Sequence, residues 1–393
     1  MSEQETYLSL INWLRQNWLG LPEAYELMPL MKAAYTPEEA SLLVGIPFSE
    51  RYLEELAGLK QTAPDELRGK LDVLAKKGAL FRTFKGDSVL YRLNDSEFMF
   101  YLTPFWPGCD DKRTKEMAPL ANQYYYRGFW DIYKYTHHKI MRTLPIEGTI
   151  EDTRQILPFE DVVKVLDTKE RFSVTTCSCR HRKNLDPGLP DCKHSTQNCL
   201  HFNQLATYTI ENGMGREITR EEAHEILRQA AEEGLVHGLS NRQEKAETIC
   251  NCCKCCCETM EAYHKLGHAE GITPSNYRVR VDPILCIGCE QCIKRCPMEA
   301  IRLEDSPQAK NRVSKIIDKA GKVKELKNKT GEIAVINTES CIGCGVCAYK
   351  CSTKSLVLDR CEVITYPPKD SREYQQWVKA DLEAARFRQD SSQ

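Results

Sequence analysis

Residues 286–297 read CIGCEQCIKRCP, and residues 341–352 repeat the same spacing as CIGCGVCAYKCS. In each run the four cysteines follow the spacing C-x2-C-x2-C-x3-C. Three thiolates at this spacing can surround one face of an iron–sulfur cubane, and the fourth lies on the helix that follows. Two such runs in one chain therefore predict two [4Fe–4S] clusters. Structural zinc is the alternative, but zinc sites usually separate their cysteine pairs by longer gaps.

The two runs resemble those of bacterial ferredoxins that carry two clusters. In such ferredoxins the fourth cysteine of each run binds the neighbouring cluster. The resemblance implies that one cluster is bound by Cys286, Cys289, Cys292 and Cys351. It implies that the other is bound by Cys341, Cys344, Cys347 and Cys296. Ser352 stands where proline is usual, which changes local packing without removing a ligand.

The segments around the two runs have the character of short strands. Tyr277–Asp282 and Glu332–Asn337 are expected to precede the runs, and Ala300–Leu303 and Ser355–Leu358 to follow them. Between the runs, Arg302–Glu332 forms an insertion with nine basic and five acidic residues. It is read as a solvated hairpin, and the alternative is a docking surface for an acidic redox partner.

A second cysteine system lies upstream. A first group follows the spacing C-x-C-x12-C-x6-C and comprises Cys177, Cys179, Cys192 and Cys199. A six-cysteine run then packs six thiols into eight residues: Cys250, Cys252, Cys253, Cys255, Cys256 and Cys257. Unprotected thiols at this density would oxidise, so all ten are candidate metal ligands.

Several assignments of these ten thiols remain open. The first group suffices for one [4Fe–4S] cluster, with Arg180 as a hydrogen-bond donor to its sulfides, or for a zinc ion. The six-cysteine run could complete that cluster, hold a further one jointly with the first group, or contain a redox-active thiol pair. On a helix, Cys250, Cys253 and Cys257 would share one face. We therefore expect a third cluster and allow a fourth, with zinc as an alternative in this region.

The composition of the chain separates metal binding from disulfide chemistry. The chain has 393 residues, a net charge of −2 and 20 cysteines, of which 18 lie between Cys177 and Cys351. Its first residues show no export signal, and no apolar run approaches the roughly 18 to 20 residues of a membrane span. We expect reduced thiols in a cytoplasmic protein. The isolated Cys109 and Cys361 are read as bystanders.

The N-terminal part has the order of elements found in winged helix-turn-helix domains. Helices are expected from Thr36-Pro37, over Glu50–Leu59 and from Thr62-Ala63-Pro64-Asp65, followed by strands Ala79–Phe84 and Ser88–Leu93. Residues 36–93 carry nine basic and nine acidic residues, whereas a module that contacts phosphates should be basic. Protein docking or a structural role is favoured over DNA binding.

The whole arrangement resembles a group of multi-domain 4Fe–4S binding proteins of anaerobic prokaryotes. The resemblance rests on T-C-S-C-R at 176–180, G-L-V-H at 234–237, the six-cysteine run and the two C-terminal runs. It implies an α+β chain with a winged-helix-like module, a mostly helical cysteine-rich middle domain and a dicluster ferredoxin-like domain. The expected limits are 1–95, 96–170 (an aromatic-rich connector), 171–275, 276–362 and 363–393 (a polar tail with a helix).

The predicted function is electron transfer to a partner oxidoreductase or flavoprotein. No G-x-G-x-x-G or Walker A sequence indicates a nucleotide or flavin site, no membrane span is expected, and no small-molecule substrate is evident. Two alternatives are a disulfide-reductase-like enzyme centred on residues 250–257 and an iron–sulfur transcription regulator. Hydrogen-bonding roles are favoured for the histidines, among which His181 and His201 neighbour predicted ligands: His137, His138, His181, His194, His201 and His237.

Overall fold

A computed structural model describes residues 2–130, 134, 136–267, 271–317 and 321–390. The α-helices are α1 (Glu3–Leu14), α2 (Leu27–Ala34), α3 (Pro37–Leu43), α4 (Leu53–Lys60), α5 (Pro64–Lys76), α6 (Lys112–Tyr124), α7 (Val162–Asp167), α8 (Ser178–Asn184), α9 (Asn203–Glu211), α10 (Arg220–Glu233), α11 (Glu258–Leu266), α12 (Gln291–Arg295), α13 (Val346–Tyr349) and α14 (Ser371–Asp390). Short π-helices span Phe98–Leu102 and Tyr125–Phe129, and 3₁₀ turns span Thr153–Gln155, Pro158–Glu160 and Pro307–Ala309.

The strands are β1 (Arg51–Tyr52), β2 (Leu80–Lys85), β3 (Ser88–Leu93), β4 (Met141–Leu144), β5 (Phe172–Thr176), β6 (Gln197–Phe202), β7 (Gly215–Ile218), β8 (Val236–Ser240), β9 (Thr248–Cys252), β10 (Tyr277–Val281), β11 (Ile301–Asp305), β12 (Val313–Ile317), β13 (Val323–Lys327), β14 (Glu332–Ile336) and β15 (Leu356–Arg360). Helices and strands are mixed along the chain, which confirms the α+β class. In the described residues no helix has the length and apolar character that crossing a bilayer requires.

The elements expected over residues 36–93 are present. Thr36 caps α3 by accepting a hydrogen bond from the Glu39 amide, the Glu39 carboxylate returns one to the Thr36 amide, and Pro37 takes the first helical position. Strands β2 and β3 form an antiparallel hairpin that turns at Gly86, where φ is +60°. The short β1 adds to the other edge of β3. Local capping and turn chemistry account for this part of the fold.

The chain forms two compact units, which are described separately. The first comprises the described residues of 1–138, 170–219 and 375–393. In it β5 lies between β6 and β7 in antiparallel pairing. Phe81 of the hairpin stacks on Tyr208 of α9 with ring centroids 4.3 Å apart, and the Tyr208 hydroxyl donates to the Leu80 carbonyl over 3.0 Å. The hairpin and α9 therefore share one core.

The second unit comprises the described residues of 139–169 and 220–374. Its strands β4, β8 and β9 pair antiparallel in that order. Strand β10, before the first C-terminal run, pairs with β15, after the second run. Strand β11, after the first run, pairs with β14, before the second run. These pairings place the two runs side by side over one core.

The interval 171–275 differs from the mostly helical domain that was expected. It holds five strands, β5 to β9, as well as four helices. The six-cysteine run is not helical: Cys250 and Cys252 lie in β9, and a turn leads to α11, which begins at Glu258. The wrong expectation has a physical cause, since the extended form of residues 248–252 depends on pairing with β8. The five-domain division stays a prediction.

Candidate metal centres

Two cavities lie under the C-terminal runs, and each is walled by cysteine side chains. One is lined by Cys286, Cys289 and Cys292 of the first run and by Cys347 and Cys351 of the second. The other is lined by Cys296 of the first run and by Cys341, Cys344 and Cys347 of the second. Each cavity thus receives three thiols from one run together with the last thiol of the other run, and Cys347 borders both. Four thiols around a cavity are the donor set that a [4Fe–4S] cluster requires, so the residues fit the group.

Hydrogen-bond donors point at the thiol sulfurs from neighbouring elements. The Ala334 amide donates to Cys286 Sγ over 3.4 Å, and the Ala300 amide donates to Cys296 Sγ over 3.3 Å. The Ser355 hydroxyl lies 3.3 Å from Cys351 Sγ. Hydrogen bonds to ligand sulfurs stabilise the thiolate and raise the reduction potential of a bound cluster.

The two runs need glycine where the backbone comes closest to its surroundings. Gly343 has φ of +68°, and a Cβ there would lie 2.1 Å from the Tyr277 carbonyl oxygen. Gly288 has φ of +63°, and its Cβ would lie 2.8 Å from the Glu332 carbonyl oxygen. In both runs only glycine satisfies the left-handed conformation and the contact together.

Burial makes two of the cavity-lining thiols hold their protons more tightly than usual. Burial, with the nearby Cys286 and Cys289, raises the pKa of Cys292 to about 11. Burial, with Cys296 and Cys341, raises the pKa of Cys344 to about 12. Because metal ligands bind as thiolates, cluster assembly must release these protons.

Two side chains other than the cysteines organise the site. Asn328 is fully buried, and its side-chain amide donates to the carbonyls of Cys286 and Glu332 over 3.1 and 2.8 Å. The Arg295 guanidinium donates to the carbonyls of Ala231 and Val346 over 2.7 and 3.3 Å. Sequence reasoning missed both, because Cys286, Ala231 and Val346, whose carbonyls they bind, lie more than 40 residues away along the chain.

The first cysteine group is spread over several elements of the first unit. Cys177 caps α8, Cys179 lies in the first turn of that helix, Cys192 lies in a loop and the buried Cys199 lies in β6. The Arg180 guanidinium is fully buried and donates to the Asn198 side chain over 2.9 Å. Whether these four thiols bind a cluster or zinc stays a prediction.

The histidines near predicted ligands are engaged in hydrogen bonds. The two ring nitrogens of His181 contact the Phe105 carbonyl and the Asp110 carboxylate over 3.0 and 2.8 Å. His201 contacts the Thr175 hydroxyl over 3.0 Å. These contacts fit the hydrogen-bonding roles that were favoured for both residues.

The six-cysteine run is divided by its backbone. Cys250, Cys252 and Cys257, here called the strand triad, come together because the Cys252 thiol is within hydrogen-bond contact of the other two, and these contacts and burial raise its pKa. Cys253, Cys255 and Cys256, here called the turn triad, have sulfur atoms within 4.8 Å of one another. On a helix Cys253 would share a face with Cys250 and Cys257, but these residues lie in a strand and a turn, so that grouping does not occur.

Comparison with known proteins defines the class of the C-terminal part. Residues 278–352 match the family of 4Fe-4S dicluster domains. Ferredoxin-3 of Rhodobacter capsulatus is 32% identical over 79 residues, which cover 20% of this chain and 76% of that protein. The chain belongs to the ferredoxin family through this segment. No solved structure gives a significant match.

Proposed function

We propose that this chain is an electron-transfer protein or subunit that relays single electrons through two ferredoxin-type [4Fe–4S] clusters and at least one further cluster. The observation that carries the proposal is the pair of cavities, one lined by five cysteines and the other by four, in each case drawn from both runs. The clusters supply the one-electron chemistry. The protein sets their potentials through burial, charge and hydrogen bonds to sulfur.

The strand triad supports a relay longer than two clusters. Cys252 and Cys257 belong to the same buried core as Cys286, Cys341 and Cys344, and Cys250 packs against it. A cluster held with these thiols would lie beside the ferredoxin-type pair inside one unit. We infer that the further cluster uses the strand triad.

The insertion between the runs supports docking of an acidic redox partner. Strands β12 and β13 pair into a hairpin that carries three lysines and one glutamate. Its base is fixed beside the first cluster loop: the Ser314 hydroxyl donates to the Leu285 carbonyl over 3.0 Å, and Arg312 donates to the Pro283 carbonyl over 2.8 Å. Cys289, in that loop, is exposed. Positive charge beside an exposed ligand favours encounter with an acidic carrier.

Paired charges in residues 36–93 favour a docking or structural role over DNA binding. Lys77 pairs with Glu39 over 2.6 Å, Lys70 with Glu66 over 2.6 Å, and Arg82 with Asp72 over 2.9 Å. These pairs engage three of the nine basic residues of the winged-helix-like module, and nine acidic residues balance the whole set, so the module has no excess of positive charge for phosphates. If the chain were a transcription regulator, it would bind double-stranded DNA with an affinity that falls as salt rises. We expect no such binding.

Iron analysis and electron paramagnetic resonance on anaerobically purified protein test the proposal. We expect about twelve irons per chain, coupled signals from the ferredoxin-type pair and one further signal. About eight irons and only the coupled signals would reject the third cluster and keep the electron carrier. Fewer than about eight would reject the two-cluster assignment itself.

Partner docking is tested with a reduced acidic ferredoxin as the electron donor. Lys324→Glu with Lys327→Glu should slow cluster reduction about tenfold at low salt, and the difference should shrink at high salt. Lys112→Glu with Lys115→Glu, at two exposed side chains of α6 in the first unit, reverses the same number of charges and is the matched control. Equal rates in the two variants would reject the hairpin as the docking surface.

A further inference from the structure

The backbone of residues 248–257 sorts six thiols into two groups with different geometry. In β9, Cys250 and Cys252 lie on one face because side chains alternate along a strand. The chain then turns through 254–256, and the Cys257 amide donates to the Cys253 carbonyl over 3.1 Å. This closure returns Cys257 to the strand thiols and leaves the turn triad apart.

The turn triad has the spacing of ligands that share one ion. The sulfurs of Cys255 and Cys256 are 3.7 Å apart, and all three sulfurs lie within 4.8 Å of one another. Zinc–sulfur bonds of about 2.3 Å in a tetrahedron place two thiolate sulfurs about 3.8 Å apart. The observed separation therefore matches a single tetrahedral ion.

A cubane requires a wider arrangement, because each of its thiolates binds a different iron. The ferredoxin-type thiols and the strand triad show this contrast: among the described residues, neither set includes three thiols that lie mutually within 4.8 Å. Cys253 and Cys256 are also buried, at 4% and 2% exposure, so their polar sulfurs face each other away from water. Metal coordination satisfies these groups better than weak thiol hydrogen bonds.

A charged contact positions the turn. The Lys254 ammonium, between two of the ligands, lies 3.0 Å from the Glu299 carboxylate. Residue 299 follows the first C-terminal run, so the turn is tied to the ferredoxin-type segment within the second unit.

We propose that Cys253, Cys255 and Cys256 are three ligands of a single tetrahedral zinc ion, separate from every iron–sulfur cluster. The fourth ligand comes from outside the run. The ion is structural: it fixes the turn that returns Cys257 to the strand triad. This inference goes beyond the electron-transfer proposal and does not depend on it.

The test is metal analysis with zinc-edge X-ray absorption on full-length, anaerobically purified protein. We expect about one zinc per chain with a sulfur shell at about 2.3 Å. Cys255→Ser, at an exposed position, should lower retained zinc about tenfold after chelator treatment while iron content is unchanged. Cys255→His keeps a zinc ligand and should retain the ion with a mixed nitrogen and sulfur shell.

Cys250→Ser and Cys361→Ser are the controls, and both should retain zinc. Wild-type protein without zinc would overturn the proposal. So would equal zinc in wild type and Cys255→Ser, or loss of an iron–sulfur signal in Cys255→Ser. Iron and resonance signals from the same samples judge the electron-transfer proposal independently.

Discussion

At the scale of single residues, the last cysteine of each C-terminal run has the most distinctive position. Cys351 lines the cavity of the first run, and Cys296 lines that of the second. Each thiol is therefore expected to belong to the cluster of the other run.

Serine substitution of these two residues tests whether each of them binds the cluster of the other run. Cys351→Ser should alter the same cluster signal as Cys289→Ser, whereas Cys296→Ser should alter the same signal as Cys344→Ser. Loss of one ligand is expected to reduce that cluster's occupancy severalfold. Electron paramagnetic resonance of reduced samples reads the result, with Cys361→Ser as the control. If Cys351→Ser altered the same signal as Cys344→Ser, the assignment would be contradicted.

A second residue-scale prediction concerns Gly343. Gly343→Ala adds a Cβ that would lie 2.1 Å from the Tyr277 carbonyl oxygen, and we expect most of the second cluster to be lost. Gly267→Ala is matched in backbone conformation, with φ of +67° against +68°, but its Cβ would meet open space. In the control, the free energy of unfolding should fall only by the cost of a left-handed backbone conformation, about 1–2 kcal/mol. Iron content and bleaching rate in urea separate the two variants, and equal behaviour would refute the steric argument.

His237 gives a prediction about pH. Burial lowers its pKa to about 4 from an ordinary 6.5, while its Nδ1 lies 2.7 Å from the Asn251 side-chain oxygen. The unfolded chain binds a proton below pH 6.5 and the folded one only near pH 4, so stability falls as pH drops through this window. At pH 5.5 the loss is about 1.4 kcal/mol relative to pH 7.5.

Hydrogen exchange of the 236–252 peptide measures this effect, after correction for intrinsic rates. Opening should become about tenfold more frequent at pH 5.5. In the His237→Asn variant this tenfold increase in opening at pH 5.5 should be absent. A variant that retains the full pH dependence would assign it to another group.

At the scale of elements, the end of α10 meets the first C-terminal run through one side chain. Arg295 donates to the carbonyls of Ala231 and Glu232 in the last turn of α10 over 2.7 and 3.1 Å, and to Val346 at the start of α13. It thus satisfies carbonyls that a helix end leaves unpaired and places positive charge near the Cys347 thiol.

Two substitutions at Arg295 separate geometry from charge. Arg295→Ala should lower the cluster reduction potentials and loosen the end of α10. Arg295→Lys retains the positive charge, so the cluster reduction potentials should stay close to those of the wild type. It should lose several of the hydrogen bonds, since lysine lacks the planar guanidinium group. Redox titration measures the first effect and hydrogen exchange of 220–233 the second. Equal potentials in wild type and the alanine variant would show that the charge does not influence the clusters.

The hairpin of β2 and β3 and the helix cap at Thr36 were predictable because their determinants are local. A capping box and a two-residue turn act within a few residues. The extended form of residues 248–252 was not predictable, because it depends on pairing with β8. Residues 250–257 carry a spacing that also suits a helix, and only the sheet selects the strand.

At the scale of the whole molecule, the ferredoxin-type cysteines are part of the packing of one unit. The core of the second unit includes seven of the eight ferredoxin-type cysteines, five buried and two partly buried. A core of the first unit contains Phe81, Trp106, Leu205, Tyr208 and Met214 and no cysteine.

Iron removal should therefore affect the two units unequally. Anaerobic chelation should increase hydrogen exchange strongly over 277–360, because the emptied cysteine cavities lose their packing. Exchange over 64–93, in the first unit, should change little. Mass spectrometry of matched samples with and without iron measures hydrogen exchange in both peptides. An equal increase in exchange in the two peptides would show that the first unit also depends on iron.

The sequence by itself determined the ferredoxin-type segment, because the spacing of thiols within each run of twelve residues fixes which cysteines can face one cluster. The cytoplasmic location, the third cluster and the joint use of the two upstream cysteine groups stay predictions. Only the tertiary structure decided that the six-cysteine run divides into a strand triad and a turn triad. It also decided that Asn328 and Arg295 hold the cluster loops. The physical reason is common to both: strand pairing and long-range hydrogen bonds join residues that no local pattern connects.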